Sequence, residues 1–522
     1  MADRAQPITP GIGAGVFAAA SIPILITVSG AAVLLSAETG RGLSPADWAA
    51  IRFTVVQAFL SAFFSVLLAI PVARALARRR FRGRSLLVSL LGAPFLLPTI
   101  VAISGLLAIF GRRGVLNDML GAIGASPVSI YGLTGVVLAH VFFNLPLVTR
   151  LILQGWLDIP AERFRLAASL GMGNSAVFRH LEIPMLLRVL PGAFLIVFVI
   201  STTSFAVALT LGGGPRATTI ELAIYQAVRF EFDLGRAALL SAIQLVLTGA
   251  AALVALRVAR DGGFGAGLDR QLRRWDGQGA VPRMLDTVAI LVATVFLMSP
   301  LLAVILSGLP HLAGLPGAVW WATGRSLLVA LVSTLLVLAM TLATARAATL
   351  RPGLARPIEG AALLAIAASP LVLGTGLFVL LFPFVEPSRL ALPVTAVLNA
   401  IATVPFAMRA VMPVYQKIES DHGRLAAQLD LTGWARFRLV DLPRLRRPLG
   451  FSAGIAAALS MGDLGVIALF ADPQSATLPL QIYRLMGAYR MGDAAGAALL
   501  LMLISFALFW TFDRGGRVDA AG

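Results

Sequence analysis

The sequence predicts an all-α polytopic membrane protein, with about twelve transmembrane helices in two parallel six-helix repeats. Three observations predict it. Apolar runs of about 20 residues recur along the chain, each long enough to cross roughly 30 Å of hydrocarbon as a helix. Blocks of the first half reappear in the second half at fixed offsets. Basic residues gather on alternate connections between the runs. Composition agrees, since 58% of the 522 residues are hydrophobic, only 13% are charged, and mean hydropathy is +0.89. That balance belongs to a membrane-embedded chain, not to a soluble globule.

The expected spans, in order, are 14–36, 53–73, 86–110, 132–150, 189–211, 238–256, 285–307, 326–345, 358–383, 391–412, 448–471 and 494–512. In lipid each backbone N–H and C=O needs an internal partner, which runs of this length supply as helices. The two-residue alternation of barrel strands is absent. The first run is too long for the apolar core of a signal peptide and lacks a small-x-small exit, so it reads as an uncleaved first span. Trp48, Trp320, Trp321 and Trp510 fall at span ends, where amphipathic rings prefer the interface.

With the N-terminus in the cytoplasm and twelve alternating spans, only 11 of the 42 Lys and Arg residues fall on the outer side, and Arg150 and Arg409 stand at the cytoplasmic ends of their spans. The basic stretches RALARRRFRGR (74–84) and RVARDGGFGAGLDRQLRRW (257–275) fall on the cytoplasmic side. This positive-inside bias fixes orientation, and an even span count returns the C-terminus to the cytoplasm. It also accounts for the net charge of +17 without a nucleic-acid partner. Cysteine is absent, which excludes a disulfide framework and a thiolate metal site.

The duplication has two registers. RLAASLGMGNSAVFRHLEIP (165–184) and RLAAQLDLTGWARFRLVDLP (424–443) match at nine of twenty positions, at an offset of 259 shared by Pro146 with Pro405 and Arg150 with Arg409. WAAIRFTVVQAFLSAFFSVLLAIPVAR (48–74) matches WWATGRSLLVALVSTLLVLAMTLATAR (320–346) at an offset of 272. The halves are therefore 1–270 and 271–522, each with six spans, and an even count makes them parallel repeats. The Arg- and Gly-rich segment 257–283 is the linker.

Both polar islands then lie on the cytoplasmic face, within connections 151–188 and 413–447. About 38 residues is long for a tight turn. Leu166 and Leu170, like Leu425 and Leu429, are four apart and share a helix face. Gly171 and Gly173 permit a bend, and Pro184 and Pro443 stop a helix or restart the chain at the membrane surface. The expectation is two short helices with a bend, repeated, as a docking place for cytoplasmic partners.

These islands resemble the coupling loop of permease subunits from binding-protein-dependent ABC importers. The family pattern is E-A-A, three residues, Gly, nine residues, then I-x-L-P. Here Ala167, Ala168, Gly171 and Pro184 carry it in the first copy, and Ala426, Ala427, Asp430 and Pro443 in the second. The chain departs from the family where the Glu falls on Arg165 and Arg424 and where Asp430 replaces the Gly. YGLTGVVLAHVFFNLP (131–146), LGGGPRATTIELAIYQ (211–226) and MGDLGVIALF (461–470), with the fused two-half layout, resemble the permeases of bacterial thiamine importers. The resemblance implies a type I importer fold in the bacterial inner membrane and thiamine or its phosphate esters as cargo. It also implies two ATP-binding subunits on the islands, an extracytoplasmic substrate-binding protein, and alternating access. Ferric iron or a polyamine is the alternative cargo within this fold; an ion-coupled secondary transporter is the alternative outside it.

The chain carries no ATP site of its own. A P-loop needs Gly-Lys-Ser/Thr, and the only lysine, Lys417, follows Gln416. ATP and Mg²⁺ would belong to the partner ATPase, and the four scattered histidines show no metal-ligand spacing. Asp463 stands inside an apolar span, where a carboxylate needs a partner or water; it could line the path of a cationic cargo. His140, Asn144 and Asn399 are further path candidates, although buried amides and imidazoles more often bond neighbouring helices.

Overall fold

The computed structural model describes residues 10–37, 42–91, 97–212, 214–258, 279–472 and 474–517. Their regular structure is helical. In order it comprises α1 (Pro10–Ser36), α2 (Pro45–Arg78), α3 (Arg84–Leu90), α4 (Thr99–Phe110), α5 (Val115–Ala122), α6 (Leu133–Leu157), α7 (Ala161–Ser169), α8 (Asn174–Val177), α9 (Ile183–Thr202), α10 (Phe205–Leu211), α11 (Ile220–Gln226) and α12 (Leu234–Val258). The second half continues with α13 (Ala280–Gly308), α14 (Gly317–Leu350), α15 (Pro352–Ala367), α16 (Pro370–Leu381), α17 (Pro387–Gln428), α18 (Gly433–Arg436), α19 (Leu442–Met461), α20 (Gly465–Phe470), α21 (Leu478–Gly487) and α22 (Met491–Arg517). Among the described residues, 11 helical stretches are long and apolar enough to cross a membrane. The chain is a multi-pass membrane protein.

Two of the expected spans break at proline. The ninth, expected over 358–383, is two helices. Pro370 has no N–H to donate, so it begins α16, and Ser369 caps it by accepting the Val372 N–H at 3.4 Å. That break leaves Pro370–Leu381 as a shorter apolar helix. The third span, expected over 86–110, is likewise α3 and α4, and residues 92–96 lie outside the described residues. Most of the linker, 259–278, also lies outside them. The long connections expected around the islands are helical. In the second copy α17 runs 42 residues, from the tenth span into the island.

The described chain forms two compact units that cut across the sequence halves. One holds residues 43–223 and 246–309, the other 1–42, 224–245 and 310–522. In the first unit, α2 opens with a capping box: Ser44 Oγ accepts the Asp47 N–H at 3.2 Å, and Asp47 accepts the Ser44 N–H at 2.9 Å. α2 packs on α6, α9 and α13. Phe142, fully buried, stacks edge-on against Phe296 of α13 at 5.9 Å. In the second unit α1 packs on α14, α15 and α16. The first helix of each sequence half thus belongs to the unit built mainly from the other half.

Two glycines permit these crossings. A Cβ on Gly105 of α4 would meet the Pro300 backbone of α13, and one on Gly376 of α16 would meet the Ser29 backbone of α1. Close approach of two helix backbones needs a residue without a side chain.

The offset change also has a structural counterpart. The difference 272 − 259 = 13 marks residues present between spans three and four only in the first half. α5 lies in this connection. Buried Asn117 pins it, donating to Gly111 and Val128 carbonyls at 2.8 and 2.9 Å and accepting the Val128 N–H at 2.8 Å.

Candidate functional site

Each island is a helix, a left-handed bend and a second helix. In the first, α7 ends before Gly171 (φ 65°) and α8 begins at Asn174. In the second, Asp430 takes the same turn with φ 49°, a conformation that Asp tolerates better than most residues. This explains how Asp430 replaces the glycine without losing the bend.

The two copies then repeat a rarer feature. A π-helical turn, Phe178–Glu182 in one and Phe437–Asp441 in the other, precedes Pro184 and Pro443. The Ile183 N–H bonds to Phe178 and the Leu442 N–H to Phe437, five residues back. A proline after the turn cannot donate and its ring crowds the preceding turn, which the widened helix accommodates. The helices therefore run on through Pro184 and Pro443 into α9 and α19.

The exposed faces also repeat. Ala167 and Ala426 are buried, whereas Arg165, Ala168, Arg424 and Ala427 are exposed. Leu166 and Leu170 are 60% and 68% exposed, and Leu425 and Leu429 are 54% and 61%. Each copy thus shows the same pair of exposed leucines, a matched apolar patch, and the second also exposes Trp434 and Leu439.

Beneath the first patch lies a charge anchor. Glu182 is fully buried and receives Arg74 Nε at 2.7 Å, with Arg74 Nη2 also at 2.7 Å and Arg78 Nη2 at 3.8 Å. Arg74 also stacks over Phe178 at 4.6 Å. In the second island, buried Asp441 accepts the Tyr415 hydroxyl at 3.3 Å and faces Arg436 at 3.8 Å, and Arg346 acts on it electrostatically. Arg436 also pairs with Glu419. A buried carboxylate of this kind persists only when paired and hydrogen-bonded.

The other ends of α2 and α14 are tied as well. Thr54 Oγ1 accepts the Ile220 N–H at 2.9 Å, and Ser326 Oγ accepts the Leu478 N–H at 2.8 Å. These bonds satisfy N-terminal N–H groups of α11 and α21 that have no helical partner. The connection before α21 is a built turn. Asp472 accepts the Ser475 hydroxyl and the Gln474 and Ser475 N–H groups, which hold its carboxyl below the usual carboxylate range. Arg229 and Arg484 donate to the carbonyls of Ala471 and Asp472 at 3.1 and 3.2 Å.

The four path candidates lie mid-span. His140 and Asn399 are equivalent at offset 259, as are Ser201 and Ser460. Within the first unit His140 Nδ1 meets Ser61 Oγ at 3.1 Å, Asn144 donates to Ser201 Oγ at 3.5 Å, and Gln57 donates to the Ser201 carbonyl at 2.8 Å. Within the second, Asn399 donates to Ser460 Oγ at 3.1 Å. All three bond a neighbouring helix. Asp463 sits in the break between α19 and α20, facing the first backbone N–H groups of α20, those of Gly465, Val466 and Ile467. Its Oδ2 is buried without a hydrogen-bond partner. The equivalent break in the first half, at Ser204, has no side-chain cap.

Sequence reasoning missed Glu182, Asp441, Arg74, Arg346, Thr54 and Ser326. A signal existed. The acids recur at offset 259 and the arginines and hydroxyls at offset 272, so each register repeats one partner of the same contacts.

No family model matches the chain. Full-length relatives do. It is 39% identical over 527 residues to the thiamine transport system permease protein of Brucella abortus, covering 98% of this chain and 96% of the relative. It is 38% identical over 532 residues to that of Salmonella typhimurium and 37% over 529 residues to that of Escherichia coli, covering 98% of both chains in each case. Likeness at this level over essentially the whole length, on a helical membrane scaffold with two matched islands, places the chain in the family of thiamine transport system permease proteins.

Proposed function

We propose that this chain is the permease subunit of an ATP-driven importer that carries thiamine inward across the bacterial inner membrane, with both termini in the cytoplasm. The observation that carries the reading is the matched pair of islands. Each presents the same exposed leucines on the same helix–bend–helix frame and is held from beneath by a buried acid. Two equal sockets suit a pair of ATP-binding subunits, which would hold ATP and Mg²⁺ and supply the hydrolysis this chain lacks. A substrate-binding protein on the opposite face would deliver cargo.

In this reading ATP-driven closure of the two ATPases moves both islands, and the cavity changes sides by rocking of largely rigid bodies. The π-turns leave the helices continuous from island into span, so movement of an island is passed directly to α9 or α19. Asp463, with its unpaired Oδ2, and the amides of Asn144 and Asn399 are the polar groups we assign to the cargo's path. A carboxylate within the spans suits the fixed positive charge of a thiazolium.

The test is uptake of radiolabelled thiamine in a strain lacking the chain, with and without complementation. Restored uptake that depends on a functional ATPase partner is expected. Unchanged uptake on complementation, with the protein present in the membrane, rejects the reading.

A further inference from the structure

The two registers of the duplication meet on one helix. In the first unit α2 is tied near one end by Arg74 to Glu182 of the island and near the other by Thr54 to Ile220 of α11. In the second unit α14 holds Leu478 of α21 through Ser326 and carries Arg346 at the position equivalent to Arg74, where its charge acts on Asp441 without direct contact. Thr54 to Arg74 and Ser326 to Arg346 are both 20 residues. At 1.5 Å per residue that is roughly 30 Å, about the thickness of the hydrocarbon core.

We propose that α2 and α14 are struts that transmit island movement across the membrane, and that Arg74, Glu182, Arg346, Asp441, Thr54 and Ser326 are the positioning residues at their joints. The proposal deepens the importer reading and rests on it. Three features support the assignment. The far joint occurs in both repeats, through Thr54 in one and Ser326 in the other, and the arginine and acid of the near joint stand at equivalent positions in both. The first joint is buried and multiply bonded, with Arg74 and Arg78 both on Glu182. The far joint lands on the turn before a short helix, a place where a small shift changes the connection between two spans. A strut pinned at both ends makes the island, the long helix and the far turn one mechanical body. On the C-terminal side of each island the path to the far face runs through α9 or α19 and is interrupted, at Thr203–Ser204 and Gly462–Leu464.

The absence of cysteine makes the test direct. One double variant carries Arg74→Cys with Glu182→Cys, another Thr54→Cys with Ile220→Cys. Each is reconstituted with its ATPase and binding protein and bridged by a short, reducible bifunctional thiol reagent. If island and strut travel together, bridging either joint leaves thiamine uptake at or above that of the unbridged variant. Uptake that collapses on bridging and returns on reduction shows that the joint must open, and overturns the proposal. The second arm needs no cross-link. Glu182→Gln retains the ATPase subunit and its hydrolysis but lowers uptake per ATP by about tenfold, whereas Glu182→Asp recovers most of it. Equal uptake per ATP in Glu182→Gln and the unaltered chain also overturns it. If Glu182→Gln does not reach the membrane, Arg74→Gln replaces it, with the same two outcomes. Failure of the cargo assignment looks different: the unaltered chain then hydrolyses ATP with its partners yet moves no thiamine.

Discussion

Gly376 gives the cleanest quantitative test of the packing. A Cβ at this position of α16 would fall on the Ser29 backbone of α1. Two effects oppose each other in Gly376→Ala. Alanine is the better helix former by about 1 kcal/mol. Overpacking a close contact costs about 1–3 kcal/mol. Because the contact is with backbone, which cannot swing aside, the clash wins, and a net loss of about 1 kcal/mol is expected. Gly376→Leu adds three carbons to the same clash without further helix gain, for a net loss of about 2–3 kcal/mol. Gly360 of α15 is the control, since a Cβ there meets nothing within 4 Å. Gly360→Ala should therefore gain most of the helix-forming term, up to about 1 kcal/mol. Thermal unfolding of the detergent-purified chain, followed by its seven tryptophans, reads the difference. At about 2–4 °C per kcal/mol for a unit of this size, Gly376→Leu should melt about 4–12 °C lower and Gly360→Ala slightly higher. If Gly376→Ala and Gly360→Ala shift the midpoint equally, α1 does not press on α16 at Ser29 and the exchange of first helices is wrong.

The remaining predictions concern the islands, the span break and α5. Replacing Leu166, Leu170, Leu425 and Leu429 together by Asp removes exposed side chains only, so the midpoint should hold to within the roughly 0.5 kcal/mol usual for each surface change. Co-purification of the ATPase should be lost; retained ATPase would deny these leucines a docking role. Asp463→Asn keeps a side chain that caps a helix about as well as Asp does, so stability should change by less than about 0.5 kcal/mol. Uptake of thiamine should fall, and undiminished uptake takes Asp463 off the path. Asn117→Ala deletes three hydrogen bonds and orphans the groups they served, at about 1–3 kcal/mol. Limited proteolysis between residues 112 and 131 should accelerate, and an unchanged cleavage rate would contradict the pinning of α5.

The helical class, the membrane, the repeat and the islands were legible because each rests on composition or on a fixed offset. Hydropathy does not see a helix break that keeps the segment apolar, which is why α15 and α16 read as one span. Ser369–Pro370 and Pro98 were the available signals, and both lie inside apolar runs. The bend at the islands was visible from Gly171, but the π-turns were not, since they depend on how a proline is absorbed into a continuing helix. The path candidates were found as residue types, while their partners were not: Ser61 and Ser201 are unremarkable serines until three helices bring them beside His140 and Asn144. The anchors were missed for a related reason. Arg74 read as one of many topogenic arginines and Glu182 as a variable position before a proline, and only packing shows them to be partners.

The exchange of first helices has a consequence for how the protein is made. Gly15 of α1 rests against Ala343 of α14, a separation of 343 − 15 = 328 residues. At about 5–20 residues per second, the ribosome needs roughly 15 to 65 s to supply that partner. For this interval α1 resides in the bilayer with its small-residue face turned to lipid. Biogenesis must therefore hold a finished helix in reserve while six more spans enter the membrane. A nascent chain stopped at the linker would leave α1 still waiting, and such an orphan is the form that membrane quality control would meet first.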